Sequence, residues 1–271
     1  MAKIAVQQNM LDKIMSHKRK EVAENEELYP RKLLEKSIYF ESEPVSFKSY
    51  IGRKDLSGVI AEFKRRSPSK GNINEHAEVE PISIGYMQAG AAALSILTDQ
   101  KFFGGTTRDL SDARKFNYCP ILRKDFICDE YQVIESKSIG ADAILLIAAV
   151  LTPDEVKSLS TLAHALQLQV LLEVRSKEEI HDYLTENIDV VGVNNRNLKT
   201  FEVDLDISIE LLKEIPDELV KISESGISDP LVAHTLQEAG FDGLLMGERF
   251  MKNNRPHLAC MEFIKGLKEL K

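Results

Sequence analysis

Five charged side chains in this sequence stand where a fold could bring them together: Glu62, Lys64, Lys124, Glu173 and Glu224. Each ends or closely follows a short apolar run. Carboxylates and ammonium groups accept and donate protons, so such a set suits general acid–base chemistry. In an extended chain Glu62 and Lys64 point to the same face. Leu122 and Lys124 share a face in the same way, as do Leu171 and Glu173, and Ile222 and Glu224. If the apolar member of each pair points into an interior, so does the charged one. Buried charges are costly unless paired. Two lysines and three glutamates meeting at one mouth satisfy one another, either as an ion-pair network closing the fold or as a site. Nothing comparable occurs at the opposite ends of the runs, and that favours a site.

The runs themselves say what must hold these residues. Eight of them follow Gly58: Val59–Phe63, Ala93–Leu97, Pro120–Leu122, Ala143–Ile147, Val170–Val174, Val190–Val193, Val220–Ile222 and Gly243–Met246. Helical stretches alternate with them. Ala89-Gly90-Ala91, Ile139-Gly140-Ala141 and Ala239-Gly240-Phe241 each place a glycine at a helix end just before a strand. These glycines lie 50 and 100 residues apart, which fits βα units of equal size. Repeating βα units imply parallel strands with helical crossovers. Runs such as Ala143–Ile147 read as strands buried on both faces. Eight units predict an α/β fold of the (β/α)8 TIM-barrel type. A doubly wound open sheet competes, but no Gly-x-Gly-x-x-Gly follows the first run. Residues 1–50 are helical in pattern. Asn9 is placed to cap a helix with Leu11, Ile14, Met15 and Val22 on one stripe, and Pro30 to start a second helix. The segment is expected to be an N-terminal helical extension packed on the barrel, so residues 1–271 form a single domain.

Barrels of this kind gather chemistry at the C-terminal strand ends. There the chain also places Asn194-Asn195-Arg196, Ser225-Gly226 and Gly247-Glu248. Small residues after the seventh and eighth strands mark the usual phosphate site of such barrels. The six histidines are scattered without metal spacing, and there is neither a nucleophile elbow nor a Walker loop. No metal is expected. A net charge of −8 argues against general nucleic-acid or anionic-membrane binding. No apolar run approaches a membrane span. Three cysteines without metal spacing read as reduced thiols of a cytoplasmic protein, expected to be a monomer.

Six stretches in order resemble indole-3-glycerol phosphate synthase, over roughly residue 8 to the C-terminus. They are Glu62-Phe-Lys64-Arg-Arg-Ser67-Pro-Ser, Leu97-Thr-Asp-Gln-Lys-Phe-Phe103-Gly-Gly, Lys124-Asp-Phe126, Leu172-Glu173-Val, Asn194-Asn-Arg196-Asn-Leu and Glu224-Ser225-Gly226-Ile-Ser. The resemblance implies decarboxylating ring closure and dehydration of 1-(2-carboxyphenylamino)-1-deoxyribulose 5-phosphate. The products are indole-3-glycerol phosphate, CO2 and water. Loss of CO2 restores aromaticity, so no cofactor is expected. By resemblance Lys124 and Lys64 are the acids, with Glu62 and Glu173 as base and proton-handling partners. Asn194 and Glu224 are hydrogen-bonding and charge partners of the transition state. Arg196 and Lys64 meet the substrate carboxylate. Phe103, Phe126, Leu145 and Ile147 surround the aryl ring. Ser67, Ser225, Gly226 and Gly247 hold the phosphate. Arg65, Arg66 and Lys70 are loop cations that draw in a polyanionic substrate.

Two positions depart from the family pattern. Glu248 stands where a small hydroxyl residue is familiar, and its carboxylate is expected to point away while its N–H faces the phosphate. Asn197 stands where Asp is familiar. The chain leaves no room for a fused second barrel and reads as monofunctional. The competing readings are phosphoribosylanthranilate isomerase, whose Cys/Asp pair is not found, and a barrel that binds a phosphosugar without turning it over.

Overall fold

The fold was taken from a computed structural model, which describes residues 2–197 and 200–270, with side chains from residue 10 onward. Its frame is a closed barrel of eight parallel strands: β1 (Val59–Phe63), β2 (Ala93–Leu97), β3 (Ile121–Lys124), β4 (Ala143–Ile147), β5 (Gln169–Val174), β6 (Val190–Asn194), β7 (Val220–Glu224) and β8 (Gly243–Met246). Helices connect consecutive strands, as parallel pairing requires. β1 pairs with both β2 and β8 and closes the ring. The three helix-ending glycines all adopt positive φ, at 92° for Gly90, 89° for Gly140 and 122° for Gly240. A side chain there would be strained, so glycine lets each helix turn sharply into the next strand.

The third strand differs from expectation. It begins at Ile121 rather than Pro120, because proline has no N–H to give a ladder, although the Pro120 carbonyl accepts from Leu94 N. It also runs two residues further, so Lys124 belongs to the strand itself. β6 and β7 likewise extend to Asn194 and Glu224. These polar residues are therefore held by ladder hydrogen bonds rather than carried on loops.

Alternation sorts the strand residues into two cores. Ile60, Leu122, Leu145, Leu171, Ile222 and Leu245 face inward and pack together. Their neighbours, such as Ala61, Leu146, Leu172 and Val191, face the surrounding helices. The N-terminal segment seals both ends. Helix α1 (Ala2–Leu28) crosses the C-terminal mouth, where Met10, Leu11 and Ile14 line the opening. Asn9 lies inside α1 and does not cap it. Helix α2 (Arg31–Leu34) directly follows Pro30. Helix α3 (Phe47–Ile51) plugs the opposite mouth with two fully buried side chains, Phe47 and Ile51. Burying each contributes roughly 1.5–3 kcal/mol over exposure. Gly243 makes room for that plug: a Cβ there would stand 2.8 Å from Ile51 Cγ2.

No helix among the described residues is long and apolar enough to cross a membrane. Nor do three or more His, Cys, Asp or Glu side chains among them cluster as metal ligands. All three cysteines are buried and unpaired. Burial pushes the Cys119 and Cys260 thiols up to about 12.

Candidate active site

A cleft of about 370 Å³ opens at the C-terminal mouth, and every residue expected from the sequence to be catalytic or to bind substrate lines it, whereas Arg65, Arg66 and Lys70 do not. Its floor is formed by Leu145, Ile147 and Leu245, continuing the inward stripe of β4 and β8. The charged layer lies directly above. Register explains the convergence: Ile147 is level with Glu173, Asn194 with Glu224, and Glu224 with Leu245.

Lys124 is the hub. Its Nζ donates to Glu173 Oε2 at 3.0 Å and lies 3.5 Å from Glu224 Oε2. Burial by itself would lower the Lys124 pKa. Glu173, Glu224 and Glu62 together outweigh that and hold it well above the usual lysine range. The group is therefore an ammonium at neutral pH. Glu173 is engaged on both oxygens, because Asn194 Nδ2 donates to its Oε1 at 2.9 Å. Asn194 Oδ1 in turn accepts from the Arg196 amide at 2.9 Å, which fixes the direction of the side-chain amide.

Glu224 is the least satisfied member. Among the described residues its Oε1 is buried without a hydrogen-bond partner. Burial raises its pKa, the Lys124 ammonium opposes this, and Glu173 and Glu62 add to it; the net effect pushes Glu224 up to about 7. An acceptor with an open lone pair and a pKa near neutrality can exchange protons with a ligand. Gly192 makes this possible and was not singled out from the sequence. A Cβ on Gly192 would stand 2.3 Å from Glu224 Oε1.

A second pair sits nearer the rim. Lys64 Nζ donates to Glu62 Oε1 at 2.6 Å, so the shared face read from the sequence is realised as a close ion pair. Gly247 backs it, since a Cβ there would lie 2.5 Å from Glu62 Oε1. The glycine proposed for phosphate thus also shapes the carboxylate layer. On one wall Phe103 and Phe126 face each other with ring centroids 6.0 Å apart and planes tilted by 42°. On the other, Ser225 and Gly226 have φ of 70° and 80°. A non-glycine residue in the left-handed region is uncommon and concentrates at ligand loops. Gly226 also has no space for a side chain, because Val203 Cγ1 would lie 2.3 Å from its Cβ. The Ser67 hydroxyl lies 3.3 Å from that of Ser69, and both line the cleft.

The loop cations are not free. Arg65 donates twice to Asp109, at 2.7 Å each, and once each to the Gly104 and Ala77 carbonyls. Its guanidinium also lies 4.9 Å from the Phe63 ring centroid. Arg66 donates to the Gln100 carbonyl. Lys70 lies 3.7 Å from Glu248. These contacts tie the loop after β1 to its surroundings. Glu248 lies with one carboxylate oxygen 3.7 Å from Lys70 and the other 3.5 Å from Arg196. The departure at Glu248 is thus charge-compensated, and Arg196 is held at the rim by Glu248 and the Phe201 carbonyl.

Asp125, next to Lys124 in the chain, belongs to a second buried network that the sequence analysis does not anticipate. Lys18 of α1 lies 3.0 Å from each of Asp99, Asp125 and Glu21. Arg123 pairs with Asp125 at 3.2 Å and Glu135 at 2.6 Å. Burial by itself would raise the Asp125 pKa, but Lys18 and Arg123 bring it down to about 2. A signal was present, since Lys18 interrupts the apolar stripe of Leu11, Ile14 and Val22 at helical spacing.

A closed parallel barrel with carboxylate–ammonium pairs and small-residue loops after β7 and β8 has the architecture of the (β/α)8 enzymes. The family model for indole-3-glycerol phosphate synthase matches residues 11–263. A relative of that name from Bacteroides thetaiotaomicron is 47% identical over 259 residues, covering 96% of this chain and 99% of its own. Another of the same name from Burkholderia ambifaria is 40% identical over 263 residues, covering 94% and 99%. The chain belongs to the indole-3-glycerol phosphate synthase family, carboxy-lyases of tryptophan biosynthesis. Thiamine phosphate pyrophosphorylase from Pyrococcus furiosus shares the barrel, with a TM-score of 0.61 over 83% of this chain and 99% of its own. At 15% identity that likeness concerns the fold alone.

Proposed function

We propose that Lys124 is the acid of a ring closure that this chain performs on 1-(2-carboxyphenylamino)-1-deoxyribulose 5-phosphate. The observation that carries this is the half-buried Lys124 ammonium flanked by Glu173 and Glu224 just above the apolar floor of the cleft. The aryl carbon bearing the carboxylate attacks the ketone carbon, and the ketone oxygen takes a proton from Lys124 as its charge develops. CO2 leaves, and its bonding electrons return to the ring. Aromaticity is restored without a cofactor. In the second half the new hydroxyl leaves as water with a proton from Lys64, and Glu62 takes the proton lost from the five-membered ring. The 2.6 Å Lys64–Glu62 pair supports their joint use.

Glu173, oriented by Asn194, holds Lys124 in place, and Glu224 exchanges protons with it. Phe103, Phe126, Leu145 and Ile147 enclose the aryl ring. Ser67 and the backbone at Ser225, Gly226, Gly247 and Glu248 take the phosphate, while Arg196 takes the substrate carboxylate. The whole chain acts as one domain and as a monomer. Unpaired buried cysteines suit a reducing cytoplasm. The test is a steady-state assay of the purified protein that follows indole-3-glycerol phosphate fluorescence. Product formation at turnover supports the reading. Binding of substrate without product would instead identify a phosphosugar-binding barrel.

A further inference from the structure

Lys18 is one of the buried cations that the mechanism leaves unused. Lys18 belongs to the N-terminal helix, not to the barrel, yet its side chain is only 1% exposed. Burying an ammonium is costly and persists only with close partners. Lys18 has three: Glu21 on its own helix, Asp99 after β2 and Asp125 after β3, each at 3.0 Å.

What the two aspartates hold is the informative part. Asp99 Oδ1 accepts from the Phe102 amide at 2.7 Å and the Phe103 amide at 3.2 Å. Asp125 Oδ1 accepts from the Phe126 amide at 2.8 Å. Its other oxygen accepts from Thr98 Oγ1 and Arg123. So one ammonium ties together the two carboxylates that fix the backbones of Phe103 and Phe126. Those rings form one wall of the cleft. His17, the preceding residue of α1, adds an edge contact to Phe102 at 5.9 Å between centroids.

We propose that Lys18 is a positioning residue that sets the spacing of the Phe103–Phe126 wall and thereby the affinity for the aryl half of the substrate. This rests on the assignment of that wall to the aryl ring. The N-terminal helix then acts as part of the binding site and not only as a cover. Among the described residues the Lys18 ammonium pairs with Glu21, Asp99 and Asp125 and with neither the phosphate loops nor the Lys124 side chain, so its loss is expected to act mainly on the aryl half of the ligand.

The experiment compares wild type with Lys18→Met, which keeps the aliphatic stem and removes the charge, and with Lys18→Arg, which restores a cation. Inhibition constants are measured for indole-3-glycerol phosphate, which carries an aryl half, and for glycerol 3-phosphate, which does not. For Lys18→Met the first constant and the substrate KM are expected to rise about tenfold, while the glycerol 3-phosphate constant stays within about twofold; Lys18→Arg recovers part of the difference. Parallel weakening of both ligands, or no change in either, overturns the proposal. Should Lys18→Met fail to fold, Asp99→Asn provides the second variant, since its amide oxygen can still accept from Phe102 and Phe103. The same split between ligands supports the proposal there, and its absence overturns it. An inactive wild type would instead refute the ring-closure assignment itself, so the two failures are distinguishable.

Discussion

Replacing Gly192 by alanine is the sharpest test of how the acid–base layer is built. The new Cβ would stand 2.3 Å from Glu224 Oε1. Leu171 Cδ1, at 3.1 Å from the same point, blocks an easy sidestep. Ordinary contact requires the carboxyl group to retreat by about 1 Å. That would lengthen the 3.5 Å approach of Glu224 to Lys124. At an effective dielectric near 20, the lengthening weakens their attraction by about 1 kcal/mol. Displacement of a reacting group by about 1 Å costs up to ~10²-fold in rate. Gly192→Ala is therefore expected to lower kcat by about 10- to 100-fold while changing KM little. The net change in stability should be small, because the roughly 0.5–1 kcal/mol by which alanine is favoured over glycine in a strand offsets part of an overpacking cost of about 1–3 kcal/mol. Steady-state fluorescence kinetics and a thermal melt on the same sample test both halves. A kcat within about twofold of wild type, with an unchanged melt, would refute the idea that Glu224 must occupy this position.

Other perturbations separate the roles of the remaining groups. Lys124→Met should reduce kcat by about 10³-fold or more while CD spectra remain native; a rate within about tenfold of wild type would show that Lys124 is not an essential acid. Glu224 has a folded-state pKa of about 7 against an ordinary 4.5. Its protonated form is thus favoured by folding, and that stabilisation is complete below about 4.5 and lost as pH rises through about 7. Urea unfolding of Glu224→Gln should show a smaller fall in stability across that interval than wild type, and parallel curves would contradict the assignment. Glu248→Ser removes the carboxylate beside Arg196 and Lys70. Two cations are freed for an anionic substrate, so KM at low salt should fall about threefold or more with kcat nearly constant; an unchanged KM would show that Glu248 does not compete with substrate.

Much of this site was legible in the chain because a strand has a period of two. Leu122 and Lys124, Leu171 and Glu173, and Ile222 and Glu224 had to share faces whatever the fold. The βα alternation then decided that those faces meet at one mouth. Local chemistry made the helix-ending glycines and the small-residue loops readable for the same reason. What alternation could not tell was which charges belong to the site and which to the scaffold. Arg65 and Lys64 are neighbours in sequence. Yet one is tied to Asp109 on a helix 44 residues away, and the other reaches into the cleft. Gly192 looked like any strand glycine until β7 brought Glu224 beside it. Lys18 was a single break in an amphipathic stripe until the helix crossed the mouth and met Asp99 and Asp125. The sequence alone determined the barrel, its polar rim and the family. The tertiary structure decided the direction in which the pKa values move and the supporting contacts, because burial and charge pairing depend on distances between residues far apart in the chain.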